Sequence, residues 1–197
     1  SVTAVYAAQD SGATVYAAHA TLKSTATSGS GAGGILTLAQ DDGTLSASGE
    51  QLGRINFEGA EDGSGTMDLG ASIYSLAYGN WDANTNGANL NFATCIENDD
   101  NQAPQLRMRI HSSGQVLIGD TENAKTNIGL TINQGAHDNE IISLKSSDVT
   151  HAMTDNTEAD TFGVLAKAGA TTGGLWIHGY SSDVIGMYAD GMATNTN

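Results

Sequence analysis

The sequence predicts an all-β fold of short antiparallel strands and hairpins arranged in serial modules. Apolar residues recur at every second position in short runs, as in residues 128–133, and this spacing places the two sets of side chains on opposite faces of a strand. The segments between these runs are rich in Gly, Asn, Asp and Ser, which favour turns. Helical patterns are scarce, since the best stretch, residues 157–169, contains Gly163 and lacks a sustained period of 3.6.

The same alternation predicts strands at residues 55–58, 90–92 and 175–178. In the last of these, Leu175 and Ile177 alternate with Trp176 and His178. We expect one set of side chains in each strand, the apolar one, to lie on a buried face and the other to face solvent.

Residues 107–120, RMRIHSSGQVLIGD, predict a hairpin. Met108 and Ile110 fall on one face of its first strand, and Arg107, Arg109 and His111 fall on the other. Residues 112–114 make the reversal, with Gly114 in the left-handed conformation. For the arginines we expect pairing with carboxylates across strands or across subunits. A clamp for phosphate or sialic acid is the alternative.

Composition excludes several functions. The net charge of −15 disfavours nucleic acids and anionic membranes as partners, because both repel an acidic surface. No run approaches the roughly 20 apolar residues of a membrane span. An acidic surface favours solubility, with calcium or counter-ion binding as the alternative. Much of the 39% hydrophobic fraction is alanine, so we do not expect a large conventional core.

Three modules are predicted along the chain, at residues 1–50, 51–126 and 127–197. Weak repeats favour related modules at the two ends, because residues 5–8 recur at 15–18, residues 20–24 resemble 142–146, and residues 33–37 resemble 173–177. The chain starts at Ser1 and stops in ATNTN, and we expect it to continue in a longer protein.

The middle module resembles the shaft repeats of bacteriophage tail fibres and related virion appendages. The resemblance lies in the order of five segments: GRINFEG at 53–59, ASIY at 71–74, ANLNFAT at 88–94, LRMRI at 106–110 and SSGQVLIG at 112–119. Where the family has Glu before R-M-R-I, this chain has Leu106, which removes one expected ion-pair partner. Residues 129–149 also resemble phage-fibre modules, so that the likeness covers about residues 50–197.

The resemblance implies an elongated, intertwined homotrimeric fibre, located on the virion and extracellular, that carries a receptor-binding tip. Its partners would be further copies of itself, other virion proteins, and a glycan or protein receptor on the host surface. Many such proteins end in a self-cleaving chaperone domain after an R-M-R-I hairpin, but residues 121–197 do not match that domain, and we assign no cleavage serine.

Physical reasoning agrees with a trimer, because short strands with one thin apolar face bury too little alone, whereas three chains can share one apolar axis. We therefore expect a structural virion fibre protein, not an enzyme. A polysaccharide-degrading tailspike segment and a non-viral extracellular filament or adhesin subunit are the alternatives.

We predict no catalytic, cofactor-binding or metal residues. The acidic pairs at residues 41–42, 61–62 and 99–100 lie in predicted turns and are interpreted as solvated turn residues, with glycoside hydrolysis as the alternative. Calcium is considered at residues 98–101, although the EF-hand spacing is absent. His19, His111, His137, His151 and His178 lack the spacing of a zinc site.

Two aromatic groups are candidate contact sites. Trp176, His178 and Tyr180 alternate along one strand and would either stack on a sugar ring or cover a subunit seam; we favour the seam. Tyr78 and Trp81, with the loop at residues 82–87, form the second group with the same two interpretations. The single cysteine, Cys95, lies in an apolar run and is interpreted as a small buried residue.

Overall fold

The computed structural model describes residues 33–61, 63–97 and 103–189. The chain divides into two compact units, residues 1–40 and 41–197. Of the first unit, residues 33–40 are described, and they form neither helix nor strand. The described part of the second unit contains nine strands and no helix, which confirms the all-β prediction: β1 (Gln51–Ala60), β2 (Met67–Ala77), β3 (Ala88–Thr94), β4 (Gln105–Ile110), β5 (Gln115–Ile118), β6 (Gly129–Ile132), β7 (Glu140–Lys145), β8 (Thr161–Gly169) and β9 (Gly173–Gly179).

The first sheet has six strands in the order β1-β2-β3-β4-β5-β6. Strands β1 to β5 form an antiparallel meander, as predicted. The last pair differs, because β6 runs parallel to β5, with Gln115 opposite Gly129. The prediction of antiparallel strands is therefore wrong for this pair: residues 119–128 return the chain across the sheet before β6 begins.

The second sheet is the antiparallel meander β7-β8-β9. The stretch with the best helical pattern, residues 157–169, contributes β8 instead. Gly163 disfavours a helix here because glycine is unfavourable in a helix interior, and in β8 its lack of a side chain leaves room for Leu144, to which a Cβ would lie within 3.2 Å. Strand pairing assigns β6 to the first sheet and β7 to the second, and the module boundaries at residues 50 and 126 stay a prediction.

The hairpin at residues 107–120 is confirmed in its pairing and its turn. Met108 lies opposite Ile118 and Ile110 opposite Val116. The backbone N–H of His111 donates to the Gln115 carbonyl at 2.9 Å, and Gly114 has a φ of 94°. A left-handed glycine closes the loop here because other residues rarely adopt that conformation.

The core of the described residues is small and unusually polar. Its buried apolar residues are Ala77, Ala93, Leu117 and Val164. The buried polar residues are more numerous: Ser72, Asn89, Asn91, His111, Gln115, His151 and Thr161. Most of them lie on one face of the first sheet or beside the second.

The covered face of the first sheet is its polar face. Asn91 is fully buried there and accepts a hydrogen bond from Arg109 Nε at 2.8 Å. The loop at residues 119–128 covers this face, since Arg109 Nη1 donates to the Thr121 carbonyl at 3.0 Å and Asn123 Nδ2 donates to Thr131 Oγ1 at 2.9 Å. The expectation that the apolar set is the buried one is therefore wrong for this sheet in a single chain, because loops with hydrogen-bonding groups cover the polar set.

Gly119 fixes the close approach of the loop after β5 to the end of β6. It has a φ of 70°, and a Cβ there would lie 2.1 Å from the Asn133 carbonyl oxygen. Gly135 has a similar φ of 65° with nothing nearby. We expect Gly119→Ala to lower the free energy of unfolding by about 3 kcal/mol or more, and Gly135→Ala by about 1–2 kcal/mol. Denaturant titration at one fixed protein concentration measures both, and equal losses would contradict the close approach.

Asn91 tests whether the covered polar network stabilises the sheet. Asn91→Leu removes the acceptor of Arg109 Nε and leaves a buried donor without a partner, and we expect a loss of about 2–3 kcal/mol. Asn91→Asp loses the long Nδ2 hydrogen bonds to the Tyr74 and Asn89 carbonyls at 3.4 Å, but it keeps the acceptor for Arg109 Nε and adds a charge pair with that guanidinium, and we expect a smaller loss. The order of the two denaturation midpoints is the measurement, and a more stable Leu variant would show that the network contributes nothing.

Candidate assembly surface

Two rows of side chains cross the first sheet on the face opposite the covered one. The first row takes one apolar residue from each of the six strands: Ile55, Ile73, Phe92, Met108, Ile118 and Ile132. The second row lies beside it: Gly53, Ser75, Leu90, Ile110, Val116 and Leu130. We call these two rows the first apolar face.

The first apolar face is exposed at five of its twelve residues, Ile55, Leu90, Ile110, Ile118 and Leu130, and half-buried at the other seven. Leu130 is 59% exposed, Ile55 41% and Ile110 37%. Neither row contains a charged residue, although the chain carries a net charge of −15. Among the described strands, every pair in extensive contact consists of hydrogen-bonded neighbours within one sheet, so that no second layer of strands packs on this face.

An apolar face of this kind would stabilise the folded protein strongly if a second surface covered it. Protein domains consist of packed layers around an apolar core, and the first sheet supplies one layer. Fully burying an Ile, Leu or Phe side chain contributes about 1.5–3 kcal/mol. Large contiguous areas of exposed apolar surface mark interaction sites. The geometry therefore favours an assembly contact over a catalytic site.

The second sheet has the same arrangement. Its register aligns Ile142, Leu165 and Ile177 across the three strands, and Leu144 and Leu175 lie on the same side by alternation. Ile177 is 58% exposed and Leu175 is 65% exposed. These five residues form the second apolar face, and Lys167, which lies opposite Leu175, is on the same side. Trp176 and His178 lie on the opposite side of β9.

The arginines of the hairpin take partners other than the predicted carboxylates. Arg107 Nε donates to Thr94 Oγ1 at 3.0 Å, and Arg109 bonds to Asn91 and to the Thr121 carbonyl. The ion pairs found in the described parts of the chain involve lysines. Pairing across strands is thus replaced by hydrogen bonds to a hydroxyl, an amide and a carbonyl, and pairing with another subunit stays a prediction. Arg109 is committed to the covered face, which leaves the anion clamp without support.

Tyr78 and Trp81 act within the fold. The Tyr78 ring meets the His111 ring edge-on, with centroids 4.5 Å apart, and Trp81 Nε1 donates to the Gly87 carbonyl at 2.7 Å. Asp82 organises the same loop by accepting hydrogen bonds from Asn84 and Thr85. These hydrogen bonds also lower the pKa of its carboxyl. This group therefore packs a folded turn against the hairpin.

The acidic pair at residues 41–42 forms a turn as predicted. Asp41 accepts from the Gly43 N–H at 3.0 Å, and hydrogen bonds from Thr44 lower the pKa of Asp42. Asp62, residues 98–101 with the considered calcium site, and His19 lie outside the described residues. Over the described ranges, no three His, Cys, Asp or Glu side chains come together as a metal-binding group.

Cys95 follows β3 directly and is half-buried, where its Sγ lies 2.8 Å from the Leu69 carbonyl oxygen. The prediction of a buried cysteine is therefore confirmed in part, because the residue lies just beyond the end of the strand and is half-buried. A search of the described residues for a helix of sufficient length and hydrophobicity to cross a membrane finds none.

Comparison with known proteins gives structural similarity only. No family model and no curated protein matches the chain. Two solved structures are similar to it, both from the L-shaped tail fibre of bacteriophage T5. The carboxy-terminal domain of that fibre matches with a TM-score of 0.46 and 10% identity, over 84% of this chain and 83% of that chain. The same domain with its intramolecular chaperone domain matches with a TM-score of 0.43 and 10% identity, over 82% of this chain and 57% of that chain. At these TM-scores, neither match by itself assigns a function.

Proposed function

We propose that this chain is a structural segment of a bacteriophage tail or head fibre, in which three copies assemble through their apolar faces. Its role is to hold a receptor-binding tip away from the particle or to form part of that tip. The observation that supports the proposal is the first apolar face, which crosses six strands without a charged residue and has no covering layer of strands among the described residues.

Charge favours further copies of the same chain as the covering partner. Two chains of net charge −15 repel each other over most of their surfaces. The two apolar faces are where like chains can approach without placing carboxylates together. Burial of these side chains then outweighs the residual repulsion, which salt also screens.

The number three comes from the resemblance of the sequence to phage fibre shafts, and the open edges of the sheet are compatible with it. Strand β1 pairs with β2 alone and β6 with β5 alone among the described strands. Outer strands of this kind offer backbone groups to a neighbouring chain. Intertwined chains would satisfy these edges while sharing the apolar axis. The role is mechanical, and we assign it no catalytic residue.

Ile110→Asp tests the assembly directly. Ile110 lies in the second row of the first apolar face, and a carboxylate there would be buried without a partner when copies assemble. We expect the unmodified 197-residue chain to remain trimeric on dilution and the Ile110→Asp chain to become monomeric, with trimer dissociation shifted at least about 100-fold in concentration. Native mass spectrometry over a range of protein concentrations is the measurement.

Val184→Asp is the matched control, because Val184 is 93% exposed, lies in a loop and belongs to neither apolar face. We expect it to assemble as the unmodified chain does. A monomeric unmodified chain, or assembly unaffected by Ile110→Asp, would contradict the proposal. An open ladder of oligomers would support the alternative of a non-viral filament.

A further inference from the structure

We propose that the second sheet carries a binding cleft for a neutral saccharide, with Trp176, His178 and Tyr180 as its aromatic wall. The inference rests on the proposed attachment role and names the chemistry that the attachment would recognise. The cleft has a volume of about 930 Å³ and lies between β8, β9 and the loop at residues 154–159. This volume is within the range of small-molecule sites, about 300–1,000 Å³.

The aromatic wall is a continuous ladder of rings. The Trp176 and His178 centroids are 5.0 Å apart, those of His178 and Tyr180 are 5.9 Å apart, and those of Tyr180 and His151 are 5.6 Å apart. Trp176 is at the open end and is 51% exposed, whereas His151 is buried. A ladder that ends in an exposed indole offers a flat apolar surface, and the faces of sugar rings present C–H groups that pack on such surfaces.

The direction of these rings separates the cleft from the assembly surface. Ile177 and Leu175 lie on the second apolar face, and Trp176 and His178 lie on the other side of the same strand. Copies that assemble through the aliphatic side leave the aromatic side accessible. The sequence favoured a subunit seam for Trp176, His178 and Tyr180. In the structure, the same alternation places Leu175 and Ile177 on the side available for such a seam.

The register of the sheet makes room for a ring between an aromatic and a carboxylate. Glu140, Ala166 and Trp176 are aligned across β7, β8 and β9. Because neighbouring strands are about 4.8 Å apart, the two outer residues of this row start about 10 Å apart. The small side chain of Ala166 leaves the space between them open. One pyranose ring fits such a gap, with a face on the indole and a hydroxyl towards Glu140.

Hydrogen-bonding groups line the rest of the cleft. Asn139 and Asn156 provide amides, and the loop provides Thr157. Saccharides carry both donors and acceptors on adjacent carbons.

The charge of the cleft selects neutral ligands. Four carboxylates line it, those of Asp138, Glu140, Asp155 and Glu158, together with one lysine. That lysine, Lys167, is paired with Asp138 at 2.5 Å, and Glu158 is paired with Lys145, so that Glu140 and Asp155 are the lining carboxylates without an ion pair among the described residues. An acidic sugar would therefore bring its carboxylate or sulfate towards like charges with no available cation. A neutral sugar meets acceptors for its hydroxyl groups instead.

His151 holds the wall in position. Its Nε2 lies 2.7 Å from the Thr161 carbonyl oxygen, and the Met153 N–H donates to its Nδ1 at 3.3 Å. These partners fix the tautomer with the proton on Nε2. The ring also stacks on Tyr180 with an interplanar angle of 29°. The loop between β7 and β8 is thereby fastened to the strand that carries the aromatic wall, so that the cleft is formed before a ligand arrives.

The test is a titration of the full chain carrying Trp81→Phe, in which Trp176 is the only indole. The probes are maltotriose, cellotriose, tri-N-acetylchitotriose and lactose, with sialyllactose as the acidic counterpart of lactose. We expect a saturable change in Trp176 fluorescence with at least one neutral probe, and weaker binding of sialyllactose than of lactose. Ligand-detected NMR then compares variants: Trp176→Ala weakens binding about 10-fold or more, and Trp176→Phe keeps most of it.

Several results would overturn the inference: no neutral probe binds, sialyllactose binds more tightly than lactose, or Trp176→Ala leaves binding unchanged. Native mass spectrometry of the same samples separates this test from that of the fibre. If Trp176→Ala dissociates the trimer, the aromatic residues lie at the contact between subunits. The proposed saccharide site is then wrong, and the proposed assembly is supported. If the unmodified chain is monomeric and still binds a neutral probe through Trp176, the proposed saccharide site is supported and the proposed trimeric fibre is wrong.

Discussion

Covering the apolar side of a single-layered sheet is the constraint on which the rest of this molecule depends. Loops cover the polar side of the first sheet through hydrogen bonds to Asn91, Arg109 and Thr131, and they leave the six-strand apolar row in contact with water. In most soluble domains, the side of a sheet that the rest of the fold covers is the apolar side. The apolar side of the first sheet is therefore available for contacts between molecules, as the proposed assembly requires.

This arrangement gives the two sides of each sheet separate tasks. The first apolar face is uncharged and largely aliphatic, and the second is aliphatic apart from Lys167, which suits contact with identical chains that are otherwise strongly acidic. The opposite sides hold the polar and aromatic groups, including the ladder from Trp176 to His151. Assembly and recognition can then operate on the same strands without competing, because alternation along a strand sends adjacent residues to different sides.

Local patterns in the sequence predicted the strands and the hairpin well, because each depends on neighbouring residues. The turn at Gly114 and the pairing of Met108 with Ile118 follow from alternation and one left-handed glycine. Three features depended on distant contacts and were missed: the parallel pairing of β6, the buried position of Asn91 and the side of β9 that forms a cleft. Alternation shows that Leu175 and Trp176 lie on opposite sides, but the loop at residues 154–159 decides which side is enclosed.

The most direct test of this account is hydroxyl-radical footprinting of the native assembly, read out residue by residue at Ile55, Leu90, Ile110 and Ile118, with Val184 as the exposed reference. In the single chain the four are 41%, 38%, 37% and 39% exposed, against 93% for Val184. The account predicts that all four are modified well below the rate that these exposures imply, and that Ile55, Leu90 and Ile118 lose this protection together in the monomeric Ile110→Asp chain. Modification of the four residues in proportion to their single-chain exposure, at every concentration, would contradict it.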